Sequence, residues 1–235
     1  LIIDNDSQCN ATSILLPNEK IVNSLYDIYD PDDHTTNVAD CIYPTNYDRL
    51  FILPNSASVG AVSIKILQQI FVGKDMKALL ILRNRTRDYA TKNFDFVIID
   101  NAPSLDTYVV CALAMADYVI IPNDSGSRTS LEGINRTAKF ITTIKQDYNP
   151  ELQLYKILTV KLDRRTSISR RMHEQCIEFF GPDRMFATPI PLNTDVQKAE
   201  ESHQTVYQQR SNSPAALAYV EVAKDVIENM GKKAK

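Results

Sequence analysis

Glycine and tryptophan are the clearest shortages in this chain. It has 6 glycines and no tryptophan in 235 residues. Six of 235 is about 2.6%, against a usual glycine content near 7%. The glycines stand singly at 60, 73, 126, 133, 181 and 231. No Gly-rich run ending in Gly-Lys-Thr is present, so no loop of that type wraps a phosphate in its backbone N–H groups. Cysteine is sparse as well. The four at 9, 41, 111 and 176 make no CxxC pair, which excludes a dense disulfide framework and a Cys-based metal motif. Each reads as a small core or boundary residue in a reducing cytoplasm. No apolar run approaches the ~20 residues of a membrane-spanning helix. Neither sign of charge dominates: 26 Lys and Arg stand against 29 Asp and Glu, a net charge of −3. A globally basic nucleic-acid binder is excluded, though a local basic patch is not.

What remains is ordinary globular material, 44% hydrophobic and 23% charged, long enough for a proper core. Short apolar runs occur at residues 1–4, 50–53, 94–100, 118–121 and 154–160, with a weaker one at 185–190. They are continuous rather than alternating, as in strands covered on both faces of a parallel sheet. Between them, Leu131, Ile134, Ala138, Ile141 and Ile144 keep helical spacing, and so do Leu217, Val220, Ala223, Ile227 and Met230. Ser213-Pro214 is a cap and first-turn pair for the second of these helices. Residues 73–92 and 165–180 also read as helix. The alternation predicts an α/β, doubly wound, mostly parallel sheet with helices on both faces. Residues 1–230 read as a single domain and 231–235 as a basic tail.

In open α/β sheets, ligands sit beyond the carboxyl ends of the strands. The first apolar run is followed there by Asp4-Asn5-Asp6, and the 94–100 run ends in Asp100. Carboxylates so placed can bind Mg²⁺, directly or through water, or orient a water attacking a phosphate. They can equally cap a turn or helix. Lys161, Arg164, Arg165, Arg170 and Arg171 fall within 11 residues, against one acid, Asp163. That local excess suits a phosphate backbone, or a solvated helix face. His34, His173 and His203 lack ligand spacing, and His173 reads as a surface residue. Ser104 sits in no Gly-x-Ser-x-Gly context.

The segments LIIDNDSQCNAT, FDFVIIDNAPSLD, ADYVIIPNDSGSRTSLEGI, LTVKLDRRTSISRRM and ATPIPLNTDVQKAEESHQTV resemble, in order, successive motifs of ParA/Soj-type partition ATPases. Together they cover nearly all of residues 1–230. The resemblance implies a P-loop NTPase fold of the SIMIBI-like kind, with ATP and Mg²⁺ as cofactors. Asp6 matches the residue that orients the hydrolytic water. Asp100 matches the Walker B carboxylate that reaches Mg²⁺ through water. Asp4 helps hold Mg²⁺ or the local turn. Pro191 and Asn193 match the segment lying against the adenine, and Arg165 matches an arginine implicated in DNA contact. The family forms an ATP-bound homodimer on nonspecific DNA, associated with the cytoplasmic nucleoid. A centromere-binding, ParB-type protein stimulates the hydrolysis that releases it.

Two departures stand out. The family's P-loop has no counterpart in these residues. Its family position would be roughly 25–30 residues before Leu1, about one βα unit. The loop therefore precedes Leu1 in the intact protein, or the chain is a P-loop-less scaffold for DNA or protein. Where the family often carries Arg near Ile190-Pro191, this chain has Leu192 and Asp195, which weakens DNA contact there. A MinD-like membrane-cycling ATPase is the other alternative. Such proteins end in an amphipathic helix, and residues 231–235 contain no large apolar side chain, so no membrane partner is expected.

Overall fold

The computed structural model describes residues 1–17, 20–56, 59–125 and 130–231. They group into two compact units, Leu1–Asp117 with Ile144–Glu151, and Tyr118–Thr143 with Leu152–Lys235.

The first unit runs β1 (Ile2–Asn5), α1 (Asn10–Leu15), α2 (Leu25–Tyr29), β2 (Tyr43–Pro44), β3 (Phe51–Leu53), α3 (Val59–Phe71), α4 (Ile81–Asn93), β4 (Ile98–Asn101) and α5 (Thr107–Met115). Its sheet has the order β2-β3-β1-β4. β1 is parallel to both neighbours, and β2 is antiparallel to β3. The central β1 carries the uninterrupted apolar run that a doubly covered strand needs. Ile3, Leu25, Ile28, Tyr29, Leu53, Val62, Ile66 and Leu82 are completely buried around it. The Arg85 guanidinium donates to the carbonyls of Asp27 (2.7 Å), Ile28 (3.1 Å) and Thr36 (2.9 Å), tying α4 to α2 and to the loop that follows it.

The second unit holds β5 (Tyr118–Asp124), most of α6 (Ser130–Asp147), β6 (Gln153–Val160), α7 (Ser167–Phe180), α8 (Thr194–Glu201), α9 (Val206–Arg210) and α10 (Pro214–Met230). β5 and β6 pair in parallel. Helix α10 starts where the sequence predicts. Ser213 accepts from the Ala216 N–H, and Pro214 occupies the first turn. The helix is fastened to β6 by Lys156, whose Nζ lies 2.6 Å from Asp225 Oδ2, and by the Tyr155 hydroxyl on Asp225 Oδ1. Leu158, Phe186, Ile190, Ala215 and Ala218 fill the space beneath.

Three local expectations change. The 94–100 run yields only the four residues of β4, because β1 offers four partners. Phe94 instead packs its ring against Phe51 and Tyr89. The 185–190 run makes no strand but one isolated bridge, Ile157 to Met185, with a second, Leu162 to Pro191, just beyond it. Prolines 182, 189 and 191 lack the N–H a ladder requires. Gly73-Lys74 lies in a turn rather than a helix: α3 stops at Phe71, and Lys74 has φ 52°.

The side chains of Leu53 and Ser213 set two stability expectations. Leu53→Ala should cost about 2–5 kcal/mol through the cavity it leaves. Ser213→Ala should cost about 0.5–2 kcal/mol through the lost cap. Urea unfolding followed by circular dichroism measures both.

Candidate functional site

The parallel pairing of β1 and β4 puts Asp4 opposite Asp100 and Asn5 opposite Asn101. The two strand ends named in the sequence are therefore direct neighbours. Their carboxylates nevertheless live in different surroundings. Asp4 is fully buried. Its Oδ2 accepts from the Thr12 N–H at 2.7 Å and the Thr12 hydroxyl at 2.6 Å, and its Oδ1 faces the Asp6 N–H at 3.4 Å. Thr12 Oγ1 in turn accepts from the Asn55 N–H at 2.9 Å, and the Asn55 side-chain amide donates to the Asp6 carbonyl at 3.0 Å. The ends of β1 and β3 and the first turn of α1 are thus locked by one network of hydrogen bonds.

That network presents Asp6. The loop after β1 turns back at Cys9, whose φ is 56° and whose N–H donates to the Asp6 carbonyl at 3.0 Å. Asp6 is half-buried. Its Oδ1 accepts from the Gln8 N–H at 2.9 Å, and its Oδ2 has no protein donor among the described residues. Asp100 reaches solvent from the end of β4. Its carboxyl is partly desolvated, and this, followed by the negative charges of Asp4 and Asp6, raises its pKa above the ordinary carboxylate value. Behind the carboxylates, Asn5 donates to Asn101 Oδ1 at 2.7 Å and accepts from the Tyr29 hydroxyl at 2.8 Å. No cluster of three or more His, Cys, Asp or Glu side chains among the described residues makes a metal cage. The accessible carboxylates of Asp6 and Asp100 suit an ion that takes one or two carboxylates and completes its shell with water and phosphate, which is the habit of Mg²⁺.

The remaining predicted residues belong to the second unit. Pro191 is fixed by the bridge to Leu162. Asn193 caps α8, its Oδ1 accepting from the Asp195 N–H at 2.7 Å. Asp195 is turned to Arg210, 3.6 Å away. Pro191 and Arg164, together with Pro189, Pro214 and Leu217, line a cleft of about 640 Å³. In the basic segment, Arg165 forms a two-pronged pair with Asp163, Nε to Oδ1 at 2.9 Å and a terminal nitrogen to Oδ2 at 3.0 Å. Lys161 stands 3.6 Å from Asp124. Arg164, Arg170 and Arg171 are exposed and have no carboxylate partner among the described residues. His173 is half-buried rather than a surface residue. Its Nδ1 lies 2.9 Å from Thr159 Oγ1, and burial lowers its pKa. Of the segment 118–136, residues 126–129 lie outside the described residues, as do 232–235 of the basic tail.

Sequence reasoning missed Thr12, Asn55 and Asp163. A signal existed for Asn55, which stands two residues past the end of β3 on the edge where ligands gather. The pairing of Asp163 with Arg165 has only their closeness in sequence to announce it.

The AAA domain family model matches residues 1–154. The chain is 27% identical over 230 residues to the sporulation initiation inhibitor protein Soj of Bacillus subtilis, spanning 97% of this chain and 86% of Soj. Among solved structures, cobyrinic acid a,c-diamide synthase from Mycobacterium smegmatis with bound ADP and magnesium superimposes with a TM-score of 0.76. It is 21% identical, and the match covers 100% of this chain and 83% of the synthase. The cell division ATPase MinD of Pyrococcus furiosus gives 0.72 at 16% identity, covering 97% and 85%. The α/β fold with a mostly parallel sheet is that of these P-loop proteins.

The environments of Thr12 and Asp100 predict opposite effects on stability. Thr12→Val leaves the Asn55 N–H unpaired and takes one donor from Asp4, a loss of about 1–3 kcal/mol; Thr12→Ser should retain most of it. Asp100→Asn should stabilise the chain at neutral pH. A carboxyl whose folded pKa lies above its unfolded value of 3.8 holds its proton more tightly in the folded state, so stability declines as pH rises through that window. The advantage of Asn should vanish below pH 3.8, where the acid is protonated in both states. Denaturant titrations from pH 3 to 8 check the sign.

Proposed function

The chain belongs to the AAA domain family, within the ParA/MinD superfamily of partition ATPases, and from that premise we propose that it is a DNA-partitioning ATPase using ATP and Mg²⁺. The register of Asp4 with Asp100 is the observation that carries this reading, because it gathers the acidic strand ends where a Mg²⁺·nucleotide is handled. Asp100 would hold the ion, directly or through water, and the ion would supply neutralisation of phosphate charge.

Asp6 orients the attacking water. Its Oδ2 is open to accept a hydrogen bond, while Asn55 and the Cys9 turn hold its backbone still. We assign Asp4 to that turn, since the two Thr12 donors occupy its Oδ2. Pro191 offers an apolar edge to the adenine. The Asn193 side-chain N–H groups are left for the base while Oδ1 caps α8. A homodimer around ATP would present the basic segment twice, raising avidity for DNA without new contacts. Arg164, Arg170 and Arg171 supply the main phosphate contacts. Arg165 and Lys161 contribute less, because a phosphate must first displace Asp163 or Asp124. Hydrolysis, stimulated by a ParB-type centromere-binding protein, releases the DNA, and the protein works on the cytoplasmic nucleoid. No described helix is long and apolar enough to cross a membrane.

In the full-length protein, Asp6→Ala should reduce ATP hydrolysis by roughly 10²-fold or more while Mg²⁺·ATP still binds. Asp100→Ala should weaken the binding itself. Equal loss of binding in both, by calorimetry, would overturn this division of roles. For DNA, replacing Arg170 and Arg171 by Ala should lower the slope of log K against log salt by about 0.9 per contact removed, uniformly across sequences. Arg165→Ala should change it less. A slope unmoved by the double replacement would place the DNA surface elsewhere.

A further inference from the structure

Asn5 is the residue of β1 that carries a polar side chain into the core. Successive side chains of a strand point to opposite faces. Asn5 therefore shares its face with Ile3, while Asp4 takes the other face with Thr12. Only 3% of Asn5 is exposed, yet both protons of its amide are used. Nδ2 donates to Asn101 Oδ1 at 2.7 Å and to the Tyr108 carbonyl at 3.1 Å, and Oδ1 accepts from the Tyr29 hydroxyl at 2.8 Å. Chemistry fixes the orientation: a carbonyl only accepts, so the amide nitrogen must face Tyr108. Asn101 is oriented likewise. Its own Nδ2 donates to the Ile99 carbonyl at 3.1 Å, which leaves Oδ1 toward Asn5. The Tyr29 and Tyr108 rings pack on each other with centroids 4.9 Å apart. One amide thus ties β1 to β4, α2 and α5.

The tie crosses the ladder at a particular place. Asn5 stands opposite Asn101 in the β1–β4 register. Asp6 follows Asn5 in the chain, and Asp100 precedes Asn101. The side-chain bond is therefore one residue from each of the two accessible carboxylates. An amide buried in an apolar core costs desolvation that an aliphatic side chain does not. Leu1 and Ile3 show that β1 otherwise fills this face with aliphatic residues. The departure comes where the strand reaches the site.

We propose that Asn5 is a positioning residue for ATP hydrolysis: its bond to Asn101, oriented by Tyr29 and Tyr108, fixes the spacing between Asp6, which orients the water, and Asp100, which holds the ion. This rests on the ATPase reading and adds to it a part for residues that touch neither nucleotide nor water. Spacing matters most in the transition state, where water and ion act on one phosphate together and small displacements cost large factors in rate. Ground-state binding of Mg²⁺·ATP is spread over the whole nucleotide and depends on it less.

In the full-length protein, Asn5→Ala and Asn101→Ala should each lower kcat roughly ten- to a hundredfold. Mg²⁺·ATP affinity by calorimetry should stay within about threefold of the wild type, the pattern of an interaction made in the transition state. Asn101 is exposed, so its variant keeps the test open if Asn5→Ala fails to fold. The double variant should lose no more than the worse single one, because both break the same bond. Tyr29→Phe removes the donor to Asn5 Oδ1 alone and should lower kcat by less. Without nucleotide or metal, amide hydrogen exchange at residues 4–8 and 99–103 should quicken in both single variants. An unchanged kcat in Asn5→Ala and Asn101→Ala, whatever their stability, overturns the inference and leaves the ATPase reading standing. Additive losses in the double variant, or a loss of Mg²⁺·ATP affinity as large as the loss in kcat, overturn it equally. A wild-type protein that hydrolyses no ATP overturns the reading itself, and the inference with it.

Discussion

The hydrogen bonds from Thr12 to the buried carboxylate of Asp4 are the constraint on which the first unit turns. A carboxylate without water at the end of a parallel strand is tolerated only when donors surround it. The chain meets that need by bending at Cys9 and starting α1 so that one residue supplies both an N–H and an O–H. Because Thr12 also accepts from Asn55, the demand of one buried charge fixes the spacing of two strand ends and the loop between β1 and α1. Asp6 inherits a defined position from an interaction in which its own carboxylate takes no part. Charge-assisted bonds to an ionised acceptor are stronger than neutral ones, which suits them to hold a loop that presents a reactive group.

Charge is distributed in two contrasting ways. At the carboxyl ends of β1 and β4 two acids stand side by side, and burial first, then the neighbouring negative charges, raise the pKa of Asp100. In the basic segment the opposite holds: half-buried Asp163 is drawn onto exposed Arg165 in a two-pronged pair. Such surface pairs contribute little to stability. Their effect is to set the effective charge of a surface, and ionic strength tunes that charge over about 8–10 Å. A count of lysines and arginines overstates the cationic field here, and Arg164, Arg170 and Arg171, unpaired among the described residues, carry more of it than Arg165.

Much of this was legible in the residues. The apolar runs of β1, β3, β5 and β6, the spacing of α6 and α10, and the Ser213-Pro214 start all express periodicity and capping, which are local. Asp4 and Asp100 were marked by standing at strand ends, and their pairing follows once those strands are neighbours. Other features were not local. Nothing near residues 94–97 says that β1 will be too short to extend β4. Asn55 joins the site through a contact across 43 residues to Thr12. The inner and outer faces of α3 are both apolar, so hydrophobic spacing alone gives no way to tell the buried side from the exposed one. His173 looked like a surface residue because its partner, Thr159, comes from β6.

The three buried thiols have a use outside the chemistry of the site. Burial pushes Cys41 and Cys111 of the first unit up to about 12, and Cys176 of the second is also raised while accepting from Asn123 at 3.2 Å. An alkylating reagent attacks the thiolate, which these environments suppress and shield. Their modification must wait for local opening, and such openings differ in free energy across one protein. Cys9, half-exposed in the turn after β1, needs less of an opening. The native chain thus carries its own clocks, two in one unit and one in the other. The order in which they are modified would give the order in which the units come apart, with no label introduced.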